Sequence, residues 1–295
     1  MNTDLILSNY LHPDSEYLRP KFTLEPIQVI DTSVSNSEII DLSELGLKVF
    51  YWKSARKALR HIQDLKNSDS KPVVRISTTT QSKYLSGCLA QTFLEGIKRT
   101  KNNEEPWDIF AADFGYENPP LSRESHIYDD AWSFSIEVAC NFLLNKDTYY
   151  VTSLPKVIGS NFGAIVLTKN EAFFNDIDLI SSDFEKLRHI GNTLISQARQ
   201  IGQVRIKNLG VLSSALGRDF EKTLQDRSSI FPGAGVFTYR RDFDEVKFKE
   251  LLQGHGVRGT SFFGNNAVIL PIHQLLTDDD LRYIAKIAIH CLKFC

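Results

Sequence analysis

The sequence predicts an α/β fold: a mainly parallel sheet flanked by helices, with a small C-terminal α/β lobe. Three observations predict it. Short apolar runs alternate with stretches of helical periodicity from residue 48 to 168, the pattern of βα units whose strands pair in parallel. A long mixed-charge stretch of helical character occupies 171–227. A strand–helix–strand–helix run then closes the chain.

Residues 1–45 are polar and irregular, with Pro13, Pro20 and Pro26, and read as an extended N-terminal arm. Residues 48–52 read as a strand. Ser54 is placed to cap the next helix, which puts Ala55, Ala58, Leu59, Ile62 and Leu65 on one face. A second strand over 73–76 runs into a Ser/Thr turn. The following helix carries Tyr84, Leu85, Cys88, Leu89, Phe93 and Ile97 on one side, and the polar run 98–105 ends it. Residues 108–114 are strand-like, and Pro119-Pro120 marks a loop. Ile127-Tyr128 leads into a double aspartate. Residues 136–144 are apolar on nearly every side, as in a buried helix. Strands follow at 149–151 and 164–167. In the tail, 236–239 and 268–270 read as strands and 244–253 as a helix. Thr277 caps a last helix whose first turn holds Asp278, Asp279 and Asp280. The chain divides into an arm (1–45), an α/β core (46–170), a helical connection (171–232) and a C-terminal lobe (233–295).

Composition excludes several classes. The chain is 42% hydrophobic and 24% charged over 295 residues, ordinary for a globular protein with a large core. A net charge of -2 gives no electrostatic footprint for nucleic acid or an acidic membrane. Asp4 stands where a secretory signal carries bases, and Leu5-Ile6-Leu7 is too short for its apolar region. No run approaches the length of a membrane span. Cys88, Cys140, Cys291 and Cys295 lack C-x-x-C spacing and read as reduced thiols, which fits a cytoplasmic compartment. The seven histidines form no H-x-x-H pair, and no metal site is expected.

Two segments carry chemistry. His126-Ile127-Tyr128-Asp129-Asp130-Ala131-Trp132 sets a carboxylate at the end of a short apolar strand. Ser153-Leu154-Pro155-Lys156 sets a lone lysine before the turn and strand of Asn161-Phe162-Gly163-Ala164-Ile165-Val166. An isolated lysine is ordinarily a solvated side chain, and two acids ahead of a helix ordinarily cap it. Together they match the needs of pyridoxal 5'-phosphate (PLP): an amine to condense with its aldehyde and an acid to keep its pyridine nitrogen protonated.

Four segments, in order, resemble motifs of the DegT/DnrJ-type sugar aminotransferases, which are fold-type I PLP-dependent enzymes. Ser54-Ala55-Arg56-Lys57-Ala58-Leu59 resembles the helix start G-[TR]-x-A-L. Tyr128-Asp129-Asp130-Ala131-Trp132-Ser133 resembles E-D-x-A-[HQ]. Ser153-Leu154-Pro155-Lys156 with Gly163-Ala164 resembles S-x-x-K followed by G-G-[AV]. Leu270-Pro271-Ile272-His273, then Leu276-Thr277-Asp278-Asp279-Asp280, resembles L-P-x-H…L-[ST]-x-x-[DE].

The resemblance implies a role for each residue. Lys156 bonds the cofactor and, once freed, moves the proton. Asp130, chosen over Asp129 because Ala131-Trp132 follow it, pairs with the ring nitrogen. Ser153 donates to the phosphate, helped by backbone amides near Ala55 and Arg56. Ser133 stands three after that aspartate, where His or Gln is usual. Gln81 lies near the place of a ring-stacking aromatic. The family's tyrosine-asparagine-tyrosine-arginine segment has no counterpart beyond Asn192 and Arg199. The implied activity is transfer of an amino group from an amino acid to a keto group on a nucleotide-linked sugar, for surface polysaccharide or a related product. The implied protein is a cytoplasmic homodimer. The alternative is a non-catalytic family member that binds a ligand or partner.

Overall fold

The computed structural model describes residues 22–26, 42–66, 74–78, 97–99, 108–116, 126–143, 147–222, 231–262 and 266–295. Its strands are β1 (Lys48–Trp52), β2 (Val74–Thr78), β3 (Ile97–Arg99), β4 (Ile109–Ala111), β5 (Ile127–Asp129), β6 (Tyr149–Ser153), β7 (Ala164–Thr168), β8 (Phe220–Lys222), β9 (Gly235–Tyr239), β10 (Thr260–Phe262) and β11 (Ala267–Leu270). Its helices are α1 (Ala55–Lys66), α2 (Ile136–Phe142), α3 (Leu154–Ile158), α4 (Ser181–Leu216), α5 (Glu245–Gly254) and α6 (Asp278–Leu292).

Seven strands form the large sheet in the order β1-β7-β6-β5-β4-β2-β3. From β6 to β3 every pairing is parallel. β7 runs antiparallel to both β6 and β1. The reversal has a local cause. Only 154–163 separate β6 from β7, fewer than the dozen or more residues a parallel crossover needs. Gly163, at φ 113°, makes the turn, and its missing side chain leaves room for Leu154 and Leu187.

The large sheet is buried on both faces, as parallel sheets are. On one face Ala58, Leu59 and Ile62 of α1 cover Ile76, Ile109, Ile127, Val151 and Val166. On the other, α2 and the first half of α4 bring Val138, Leu187 and Leu194 onto Phe110, Tyr128, Tyr150 and Ile165. A second, antiparallel sheet has the order β10-β11-β9-β8. The second half of α4 (Leu209, Leu212, Leu216) packs with α5 and α6 in its core. Thr277 accepts from the Asp280 amide while the Asp280 side chain accepts from the Thr277 amide, so α6 begins with a full capping box. Asp244 caps α5.

Two elements differ from the sequence expectation. Ile97, placed on a helix by its spacing, belongs to β3, an edge strand beside β2. Residues 220–222, read as helical, form β8 on the edge of the C-terminal sheet. Three residues are too few to show a period. Of the arm, Phe22 and Thr23 sit against the C-terminal lobe, where the Arg258 amide donates to the Phe22 carbonyl. The helix expected around Tyr84, with Gln81 before it, and the Pro119-Pro120 loop lie outside the described residues.

Candidate active site

Register brings the chemistry to one edge of the sheet. Ser153 pairs with Ala164, which pairs on its other side with Trp52. Val151 pairs with Asp129, Asp129 with Ala111, and Ala111 with Thr78. The C-terminal ends of β1, β2, β4, β5 and β6 therefore share an edge, where α/β sheets bind ligands. Trp52, at the end of β1 and three residues before α1, lies two strand spacings from Ser153, about 10 Å.

Lys156 is not in a loop but in the single turn of α3. Ser153 enters that turn with extended backbone, Pro155 occupies its first turn, and Gly159 closes it in the left-handed conformation. Lys156 is half-buried, and its Nζ stands 4.5 Å from the ring centroid of Trp132. The indole leans on Phe114, with ring centroids 5.3 Å apart.

The two aspartates part company at the end of β5. Asp129 is buried, and its Oδ1 has no hydrogen-bond partner among the described residues. Burial pushes its carboxyl up to about 6; the Lys156 ammonium and the Ala131 amide draw it down, and the Asp113 carboxylate raises it. Asp130 turns elsewhere. It accepts from the Tyr150 hydroxyl at 2.5 Å, and its charge bears on Arg205. Asp130, expected from the sequence to oppose the lysine, is bonded by Tyr150 and bears on Arg205, while the Lys156 charge bears on Asp129. Neighbouring residues at a strand end point to opposite sides, and it is the Asp129 carboxyl that the Lys156 charge draws down. A stricter reading of D-x-A-[HQ] carries the signal: the aspartate two before Ala131 is Asp129, which leaves Trp132 in the His/Gln place.

The remaining sequence candidates are dispersed. Ser153 is buried at the sheet edge and makes no capping bond. Ala55 is buried as the first residue of α1, while Arg56 beside it is exposed. The Lys57 amide is taken by Ser54 Oγ at 3.3 Å, leaving the earlier amides as the open end of the helix. Ser133 is buried in the turn after Asp130; its carbonyl accepts from Thr152. Asn192 accepts weakly from the Tyr51 hydroxyl at 3.4 Å, and Arg199 is exposed. His273 is buried, and its Nδ1 accepts from the Leu275 amide in a structural turn.

Arg205 is the residue whose placement sequence reasoning missed. It lies on α4, 1% exposed, and reaches the turn that carries Lys156. In the sequence it is one charge among many on a mixed-charge helix. Burial lowers its pKa to about 10, although Asp130 pulls it back up.

No protein-family profile matches the chain, and no curated protein matches it. Solved structures do. Helicobacter pylori PseC, an aminotransferase involved in the biosynthesis of pseudoaminic acid, aligns over 86% of this chain and 90% of its own, with TM-score 0.60 and 15% identity. The fold is that of the sugar aminotransferases. A DegT DnrJ EryC1 StrS aminotransferase from Brucella abortus aligns over 85% of this chain and 88% of its own, with TM-score 0.56 and 12% identity. DesI, solved in the presence of its TDP-sugar product, covers 86% and 83%, with TM-score 0.57 and 12% identity. A NifS-like protein matches at TM-score 0.55, so the architecture is not confined to proteins named for sugars.

Proposed function

We propose that the chain is a PLP-dependent aminotransferase, moving an amino group from an amino acid donor to a keto group on a nucleotide-linked sugar for surface polysaccharide or related sugar biosynthesis. One observation carries the reading: a buried carboxylate, with one oxygen unpartnered among the described residues, lies under the charge of a lysine amine at the carboxyl edge of this sheet. That pair fits a pyridine ring and its aldehyde. Bound there, PLP supplies an electron-withdrawing ring and an aldehyde that exchanges amines.

The residues divide the remaining work. Asp129 would hold the cofactor's protonated ring nitrogen, a charge-assisted bond that burial would strengthen. Lys156 Nζ would hold the cofactor through its aldehyde and, as a free amine, would carry the proton taken from the donor's α-carbon. The Trp132 ring covers one side of Nζ. Ser153 and the first amides of α1, at Ala55 and Arg56, take the phosphate at a helix N-terminus. The sugar is supported by the four motifs and by the likeness to PseC and DesI. A cytoplasmic homodimer fits the same reading. A second reading, a ligand-binding member without turnover, is favoured by the indole standing over the amine it would have to yield.

The test is an absorbance spectrum of the protein with added PLP, then borohydride reduction and peptide mass mapping. The expected result is a visible band in the wild type and a pyridoxyl adduct on Lys156, both lost in Lys156→Ala. A screen of amino donors and keto-sugars follows. An unlabelled Lys156, or the same band in the variant, would overturn the proposal.

A further inference from the structure

We propose that Arg205 and Gln274 are positioning residues for Lys156, clamping the turn that carries it to the long helix and to the C-terminal lobe. The inference rests on the reading of Lys156 as the cofactor-bearing amine.

A five-residue helix cannot satisfy its last carbonyls internally. In α3 the Gly159 amide returns to Pro155. The Lys156 and Val157 carbonyls instead accept from Arg205 Nη2, at 3.3 and 2.7 Å. Nη1 of the same guanidinium donates to the Trp132 carbonyl at 3.0 Å. One side chain thus fixes both the turn that bears the amine and the residue whose indole covers it. Nε donates to Gln274 Oε1 at 3.1 Å, and Gln274 Nε2 donates to the Val157 carbonyl at 3.0 Å. Gln274 follows β11, so the C-terminal lobe closes the clamp. All three guanidinium nitrogens are engaged in a fixed fork, which an ammonium cannot reproduce. Asp130, held by the Tyr150 hydroxyl, supplies the opposing charge that lets a cation sit this deep. That gives Asp130 a place at the site without touching a cofactor.

Releasing the clamp frees the Lys156 turn from beneath Trp132 and exposes its amine. The experiment is competitive trace acetylation of the cofactor-free protein, with each lysine's rate read by peptide mass spectrometry. The exposed Lys247 and Lys286 serve as internal references. Gln274→Ala is expected to raise the relative rate at Lys156 at least threefold, and Arg205→Lys further. Gln274→Glu keeps the acceptor for Arg205 Nε and restores at least half of the difference. An unchanged Lys156 rate in folded Gln274→Ala, or an equal rise at every lysine, overturns the clamp. If Arg205→Lys does not fold, Gln274→Ala decides alone. Because the labelling uses no PLP, a missing pyridoxyl adduct in the wild type would sink the cofactor reading and leave this result intact.

Discussion

Replacing Asp129 with asparagine should stabilise the cofactor-free protein at neutral pH while weakening its hold on PLP. The carboxyl is raised from 3.8 to about 6, chiefly by burial. The folded state therefore binds this proton more tightly than the unfolded chain. Stability contributed here is present below pH 4 and is lost as pH rises to about 6. At 1.36 kcal/mol per pH unit, the loss is about 3 kcal/mol above pH 6. An amide carries no charge to bury but leaves polar groups unpaired, at a cost of about 1–3 kcal/mol. The net gain at pH 7 is thus on the order of 1 kcal/mol, and each kcal/mol moves Tm by roughly 2–4 °C in a chain near this size. Thermal unfolding of wild type and variant without cofactor, from pH 4 to pH 8, reads it. The variant should be the less stable at pH 4, overtake the wild type between pH 4 and pH 6, and keep a constant lead above that. Parallel profiles, or the same gain in Asp130→Asn, would refute the placement of the buried charge. Weakened PLP binding separates this residue from an ordinary stabilising change, since active-site groups are commonly kept at the expense of stability.

Two further outcomes are expected. A Cβ on Gly202 of α4 would lie 1.8 Å from the Phe231 ring, so Gly202→Ala should cost about 3 kcal/mol or more and lower the denaturant midpoint accordingly; an unchanged midpoint would contradict that packing. Asp108 is pushed up by burial but held at about 2 by His126 and by the backbone and side chain of Arg75. Its contribution is therefore present above pH 4 and lost as pH falls toward 2, up to about 2 kcal/mol. Asp108→Asn should flatten acid unfolding in that range, and an acid limb as steep as the wild type's would argue against the pairing.

Much of the architecture was legible because it is written in periodicity and punctuation. Ser54, Asp244 and Thr277 stand at the starts of α1, α5 and α6. Pro155 and Gly163 bracket the lysine turn and its reversal. What escaped depends on direction or partnership. Asp129 and Asp130 are the same residue type one position apart, so beyond the spacing to Ala131 it is the strand's alternation that separates the one under the Lys156 charge from the one bonded by Tyr150. Arg205 carries no local mark of burial, because its acceptors come from residues 132, 156, 157 and 274. The antiparallel β7 follows from a connection too short to cross over, which strand spacing alone does not weigh.

Helix α4 has a consequence for how the chain can change over time. Its Leu187 and Leu194 belong to one core and its Leu209, Leu212 and Leu216 to the other, on a single uninterrupted rod. Between them lies the Gly202 notch that admits Phe231. One residue inserted in this stretch would turn everything after it by about 100° and advance it by about 1.5 Å. Leu209, Leu212 and Leu216 would then swing off their core while the first half stayed seated. The two lobes are locked in phase through this helix, so it can accept substitutions but not a change of length.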